Sequence, residues 1–229
     1  MSTRLRKPYG TPRRSALTGT TLAETIYNDI RGRLQRGEIA PDARLLDHEI
    51  ASVYECTRTP ARQALLRLAS ESHLAGTTRG FVIPRLGQDD VREIFELRHL
   101  LEPHAAGSAV THITPKQKLD MRRAFKDASA AMKAGDLEAV TEAIGRFRAA
   151  WLVAVKSQRM RSAIETFADH AQQVRDLTLR APEALQAALA CQSEVLDAFA
   201  SNDKKKVQRA MEKLVKSAES FYFASPARL

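Results

Sequence analysis

The chain has 229 residues and a mass of 25.4 kDa, enough for one or two domains that each bury a core. With 44% hydrophobic and 28% charged residues, the composition excludes wholesale disorder, collagen and a disulfide-stapled miniprotein. The 36 basic against 27 acidic side chains leave a formal charge of +9, which permits a polyanionic partner without naming one.

No apolar run approaches the roughly 20 residues needed to span a bilayer, and the N-terminus shows no apolar core of signal-peptide type. Cys56 and Cys191 stand alone, without CxxC or metal-ligand spacing. A reducing, cytoplasmic setting with no membrane partner is the expectation. Residues 1–19 carry Arg4, Arg6, Lys7, Arg13 and Arg14 and no acid. With Pro8, Gly10, Pro12 and Gly19 and no apolar period, this stretch reads either as a disordered basic tail able to lie along phosphates or as a solubilising terminus.

From Leu22 the apolar residues Leu22, Ile26, Ile30 and Leu34 recur at helical spacing, which predicts a first helix over Thr21–Arg36 with Gly37 as its left-handed cap. Pro41 and Asp42 mark a turn. Asp47 then suits an N-cap, with Ile50, Ala51 and Tyr54 on one face of a short second helix. Thr59 is placed to cap a third helix with Pro60 at its first position. Ala61, Ala64, Leu65 and Leu68 make its buried stripe. Arg58 and Arg62, four apart, lie off that stripe and point outward. Leu74–Thr77 and Phe81–Ile83 flank Thr78, Arg79 and Gly80 as a hairpin. Helix, short helix, tight turn, helix and hairpin is the order of a winged helix-turn-helix over residues 20–84, with a linker at 85–87.

Beyond Gly87 the pattern is helical throughout: Gln88–His112, Pro115–Ala134, Leu137–Lys156, Met160–Leu179, Pro182–Ala200 and Lys204–Ala224. Thr114 before Pro115, Asp136 after Gly135, and Asn202 or Asp203 supply caps. An antiparallel helical bundle over residues 88–225 is the simplest packing, making the protein mainly α. His73, His99, His104, His112 and His170 share no ligand spacing, so they read as surface or capped histidines. Trp151 and Phe147 read as core or pocket wall. Phe221, Tyr222 and Phe223 read as packing either on the bundle or at a subunit contact. The Lys204–Lys206 run reads as a solvated helix start.

In a helix-turn-helix the second helix enters the major groove. Arg58 and Arg62 have the chemistry to take both acceptors of a guanine. Thr57 and Thr59 can bond phosphates, with His48 and Arg79 as second-rank contacts. Neither a catalytic constellation nor a glycine-rich phosphate loop is visible, so no enzyme activity is expected.

The stretch Arg36-Gly37-Glu38-Ile39-Ala40-Pro41, then Leu45, Glu49-Ile50-Ala51, Cys56 to Leu65 and Arg79-Gly80-Phe81-Val82 resembles the DNA-binding domain of GntR family transcription regulators. Ile94 to Pro103 (IFELRHLLEP) resembles the opening of the helical effector-binding domain of the FadR subgroup. The resemblance implies a homodimeric, ligand-responsive regulator that reads a short palindromic operator on double-stranded DNA. It places DNA contacts at Thr57, Arg58, Thr59, Arg62, the Arg79-Gly80 tip and the position of His48. Asp42 and Glu55 depart from the family by standing where it usually has glycine. Many members of the subgroup hold a divalent metal through an Asp and three His. Anchored on Phe147 and Asp203, those four positions fall on Ile144, Arg148, Gln192 and Leu214, which predicts no metal and no cofactor. An arginine facing a bundle cavity needs an anionic partner, so Arg148, with Arg98 and Gln192, becomes the candidate site for a small anionic effector, a carboxylate foremost. The alternative leaves Arg148 paired internally with Glu142, Glu165 or Asp169. Two rivals stand beside the regulator: an architectural nucleic-acid binder that works through the basic tail, and a small-molecule enzyme or carrier built on the bundle.

Overall fold

The structure, a computed structural model, describes residues 21–35, 38–40, 42–84 and 87–224, except the side chains at 35, 168–174, 176 and 177. The basic tail, the Gly37 cap, Pro41 and most of the 85–87 linker lie outside the described residues, as does the side chain of His170. The chain divides into two compact units, residues 1–85 and 86–229.

The first unit runs α1 (Leu22–Gln35), β1 (Arg44–Leu45), α2 (Asp47–Val53), α3 (Arg58–Ser70), β2 (Ala75–Thr77) and β3 (Gly80–Val82). The helical periodicity becomes a core: Ile26, Ile30, Leu45, Ile50, Leu65 and Leu68 are at most 1% exposed and pack together. Each such side chain contributes about 1.5–3 kcal/mol on leaving water. Two tyrosines pin the helices to one another. The Tyr27 hydroxyl donates to Glu71 and the Tyr54 hydroxyl to Asp29. Burial, reinforced by these carboxylates, pushes Tyr27 up to about 12 and raises Tyr54 as well.

The hairpin is present, with β2 starting one residue later than expected and β3 lying one residue earlier. It is also part of a three-stranded antiparallel sheet ordered β1-β3-β2, in which Leu45 faces Phe81 and Gly76 faces Phe81 from the other side. β1 carries no sequence signal because two residues show no alternation. Its pairing comes from Leu45 entering the core.

Two expected caps are corrected. Leu46, not Asp47, occupies the N-cap of α2, and α3 begins at Arg58 with Thr57 as its N-cap. Thr59 is therefore inside the helix and Pro60 sits at its third position. The physical reasoning survives the shift, since the first four N–H groups of a helix lack intrahelical partners and a proline at any of the first three loses nothing.

The second unit runs α4 (Gln88–Ala109), α5 (Pro115–Ala134), α6 (Leu137–Leu152), α7 (Gln158–Thr178), α8 (Pro182–Ala200) and α9 (Lys204–Ala224). Thr114 and Gln117 form a reciprocal capping box at α5, and Gly135 ends that helix with φ of 72°. Asp136 accepts the Ala139 N–H at 2.9 Å, while Asp203 accepts those of Lys205 and Lys206. Four ends differ from expectation, one of them the close of α7 at Thr178, a residue before Leu179. α4 closes at Ala109, where His112 and Ile113 both donate to the Ala109 carbonyl. α6 stops at Leu152, where three-residue turns fold Ala154 and Val155 into the core. α7 starts two residues early because the Ser157 hydroxyl accepts the Met160 N–H. α5 pairs with α6, and α9 with both α4 and α8. Trp151, Phe147 and Phe199 fill the centre. No helix among the described residues is long and apolar enough to cross a membrane.

Candidate nucleic-acid interface and helical cavity

The stripe that buries α3 decides which side chains it offers outward. Ala61, Ala64, Leu65 and Leu68 face the core, so Arg58 and Arg62 project from the opposite side of its first turns, 66% and 65% exposed. Thr57 and Thr59 are exposed beside them, and so is His48 on the first turn of α2. Sequence reading missed what holds the pair. Arg58 Nη2 donates to Asp47 Oδ1 at 2.8 Å and to Oδ2 at 3.1 Å, and Arg62 Nη1 lies 3.6 Å from Oδ2.

The hairpin tip has its own local logic. Gly80 has φ of 113°, and a Cβ there would meet the Leu45 carbonyl at 2.8 Å, so glycine alone fits between β3 and β1. The Thr77 hydroxyl donates to the Gly80 carbonyl and accepts the Arg79 N–H. Arg79 is thereby carried, exposed, on a braced two-residue turn. Of the two non-glycine departures, Glu55 adopts φ of 49° before α3, whereas Asp42 is not among the residues with positive φ.

In the second unit, α4, α6, α7, α8 and α9 surround a cavity of about 90 Å³, room for several water-sized groups. Arg98, Arg148 and Gln192 all line it. So do Ile144 and Leu214, which brings together the four positions that the family resemblance associates with a metal. They supply two aliphatic side chains, an amide and a guanidinium. That set does not fit a divalent cation, for it holds no carboxylate or imidazole donor and places a positive charge where the ion would sit. Among the described residues no group of three or more His, Cys, Asp or Glu could hold a metal.

Arg148 meets an acid that was not among those expected. Arg98 Nε and Arg148 Nη2 donate to the same oxygen, Glu102 Oε1, at 2.8 and 3.0 Å. Glu102 is 3% exposed. Burial alone would raise its carboxyl, but the Arg148 and Arg98 guanidiniums outweigh it and hold the group down to about 2. The i,i+4 spacing of Arg98 and Glu102 on α4 was a usable signal for this acid. The Gln192 side chain is 3% exposed, and its Oε1 has no hydrogen-bond partner among the described residues. Arg175, Thr178 and Ser217 add further polar groups to the lining, and Phe95, Phe147, Trp151 and Phe221 add aromatic wall. Phe147 and Trp151 thus serve as core and pocket wall at once. Tyr222 and Phe223 pack on Phe95 of their own unit. Outside the cavity, His99 pairs with Glu219 at 2.8 Å, and His73 is buried in the first unit beside Glu71.

Residues 93–217 match the family model for the FCD domain, and residues 22–80 match that for bacterial regulatory proteins of the gntR family. The HTH-type transcriptional regulator McbR of Escherichia coli K12 is 30% identical over 131 residues, 57% of this chain and 59% of the relative. The Nta operon transcriptional regulator of Aminobacter aminovorans is 33% identical over 101 residues, 42% and 48% of the two chains. The matched stretches thus span about half the length of these curated relatives. The solved structure of E. coli McbR/YncC superposes with a TM-score of 0.77 at 24% identity, covering 89% of this chain and 98% of the other. A structure described as a putative transcriptional regulator GntR from Rhodococcus sp. RHA1 gives 0.74 at 19%, with 90% and 99% covered. These likenesses establish the shared fold.

Proposed function

Because this chain belongs to the FCD-domain family and carries a gntR-family module ahead of that domain, we propose that it is a ligand-responsive transcription regulator. It reads a short palindromic operator on double-stranded DNA as a homodimer and acts in the cytoplasm. A small carboxylate bound in the helical unit modulates that binding. The observation that carries the DNA half is the outward pair Arg58 and Arg62, each about two-thirds exposed on the first turns of α3. A guanidinium fork matches the O6 and N7 acceptors of guanine in the major groove, and in this reading Thr57, Thr59, His48, Arg79 and the Gly80 tip supply the backbone contacts.

The effector half is supported by the cavity. Arg98 and Arg148 bring two guanidiniums and Gln192 brings an amide to one aromatic-walled space. That combination takes a compact anion with a hydrogen-bonding substituent. The carboxylate occupies the place where the subgroup's metal would sit, with Arg148 supplying the positive charge. The reading gives the protein no catalytic role. Its mechanism is a population shift in which the bound effector favours one placement of the two DNA-binding units in the dimer, so that half-site spacing fits or fails. That requires the ligand to bind the two arrangements with different affinity.

Selection of the full chain against a random-sequence duplex pool tests the reading. The wild type enriches an inverted repeat, and Arg58→Ala or Arg62→Ala each loses about 1–3 kcal/mol on that repeat with relaxed choice at guanine positions. Unchanged enrichment by the double variant would assign DNA binding elsewhere, and a steep salt dependence with no motif would favour an architectural binder.

A further inference from the structure

The two arginines assigned to base reading converge on one carboxylate of the preceding helix. Arg58 Nη2 contacts both oxygens of Asp47, at 2.8 and 3.1 Å, Arg62 Nη1 lies 3.6 Å from Oδ2, and His48 Nδ1 lies 3.9 Å from Oδ1. Their exposures are unequal: the Asp47 side chain is 12% exposed while both arginines are about two-thirds exposed. The acid, anchored at the first position of α2, is the fixed partner. The arginines reach to it.

We propose that Asp47 is a positioning residue that sets sequence discrimination, holding Arg58 and Arg62 as a pair directed at base edges and drawing them away from phosphates. This inference rests on the DNA-binding reading above. Three physical consequences follow from the geometry. First, an exposed arginine gives up rotamer freedom when it docks, and a carboxylate that already restricts it lowers that cost for both side chains. Second, the Asp47 carboxylate offsets part of the positive charge that Arg58 and Arg62 present, which weakens their sequence-independent attraction to phosphates more than their directional bonds to the neutral O6 and N7 acceptors of guanine. Third, a carboxylate beside the groove repels the phosphate backbone of every sequence alike. The last two effects lower affinity for every duplex, and only a matching sequence recovers it through the preorganised base contacts.

The test uses the full chain as wild type, Asp47→Asn, Asp47→Ser and Asp47→Glu, each passed through selection from the random duplex pool. Affinity is then measured for the enriched duplex and for a scrambled duplex of equal composition. Asp47→Asn and Asp47→Ser are expected to bind the scrambled duplex about threefold tighter and to lower the specific-to-scrambled ratio about tenfold. Asp47→Glu keeps the charge within reach and recovers most of the ratio. A purely structural Asp47 would weaken both duplexes together and leave the ratio and the enriched motif unchanged, which overturns the inference while the regulator reading stands. A wild type that enriches no sequence overturns both. If the Asn variant fails to fold by circular dichroism, the Ser and Glu variants decide on the same ratio.

Discussion

Arg148 shows how the sequence can place one side chain without reporting all that it meets. A guanidinium on α6 was expected to face the bundle interior, and it does. Its acid is Glu102 on α4, 46 positions earlier, a separation that no local spacing reports. A small carboxylate in the cavity would meet two guanidiniums, those of Arg98 and Arg148, on its lining. Calorimetric titration of the wild type with a panel of small mono- and dicarboxylates should identify a binder, and Arg148→Ala should weaken it at least tenfold, in line with a lost charge-assisted bond of about 1.5–3 kcal/mol. Equal affinity in the two proteins would remove Arg148 from the site.

At the scale of elements, Glu102 on α4 joins α6 through its contact with Arg148 at 3.0 Å. Its carboxyl is held well below the ordinary carboxylate range, at about 2. The group therefore contributes stability that is present above the unfolded-state value, about 4.3, and is lost as pH falls through the folded-state value. Glu102→Gln leaves two guanidiniums facing each other without their acid and should destabilise the protein by about 3 kcal/mol at neutral pH. Its stability should also vary less than that of the wild type between pH 4 and 2 in acid melts. Identical acid profiles would show that the pair contributes nothing. Most elements were legible because their cause is local: α5 and α8 open on a proline, Thr114 caps α5 and Asp203 caps α9, and all three keep an unbroken 3.6-residue period. Where the cause is tertiary the sequence is silent. Strand β1 exists because β3 lies beside it. α6 stops short because Ala154 and Val155 have a core to enter. The same division holds for the sites. Arg58, Arg62, Arg98, Arg148 and Gln192 could be named from pattern and resemblance; Glu102 was signalled only by its i,i+4 spacing from Arg98 and not as a partner of Arg148, and nothing local marked Asp47 as the acid that meets Arg58 and Arg62.

In the molecule as a whole, a helix-turn-helix unit and a helical bundle with an arginine-lined cavity share one polypeptide linker. The helix that follows the linker, α4, carries Phe95, Arg98 and Glu102 into the cavity lining. Whatever occupies the cavity therefore touches the helix nearest in sequence to the DNA-binding unit, which is the physical basis offered for coupling the two. That coupling matters only if α3 meets DNA through its first turns. Dimethyl sulfate probing of guanine N7 on the selected duplex measures this most directly, because N7 lies in the major groove where a guanidinium must sit to read it. The account predicts symmetric N7 protection in two half-sites by the wild type, lost at defined guanines in Arg58→Ala and Arg62→Ala while other guanines stay covered. Protection that persists unchanged in the double variant, or its absence in the wild type bound to its selected site, would contradict it.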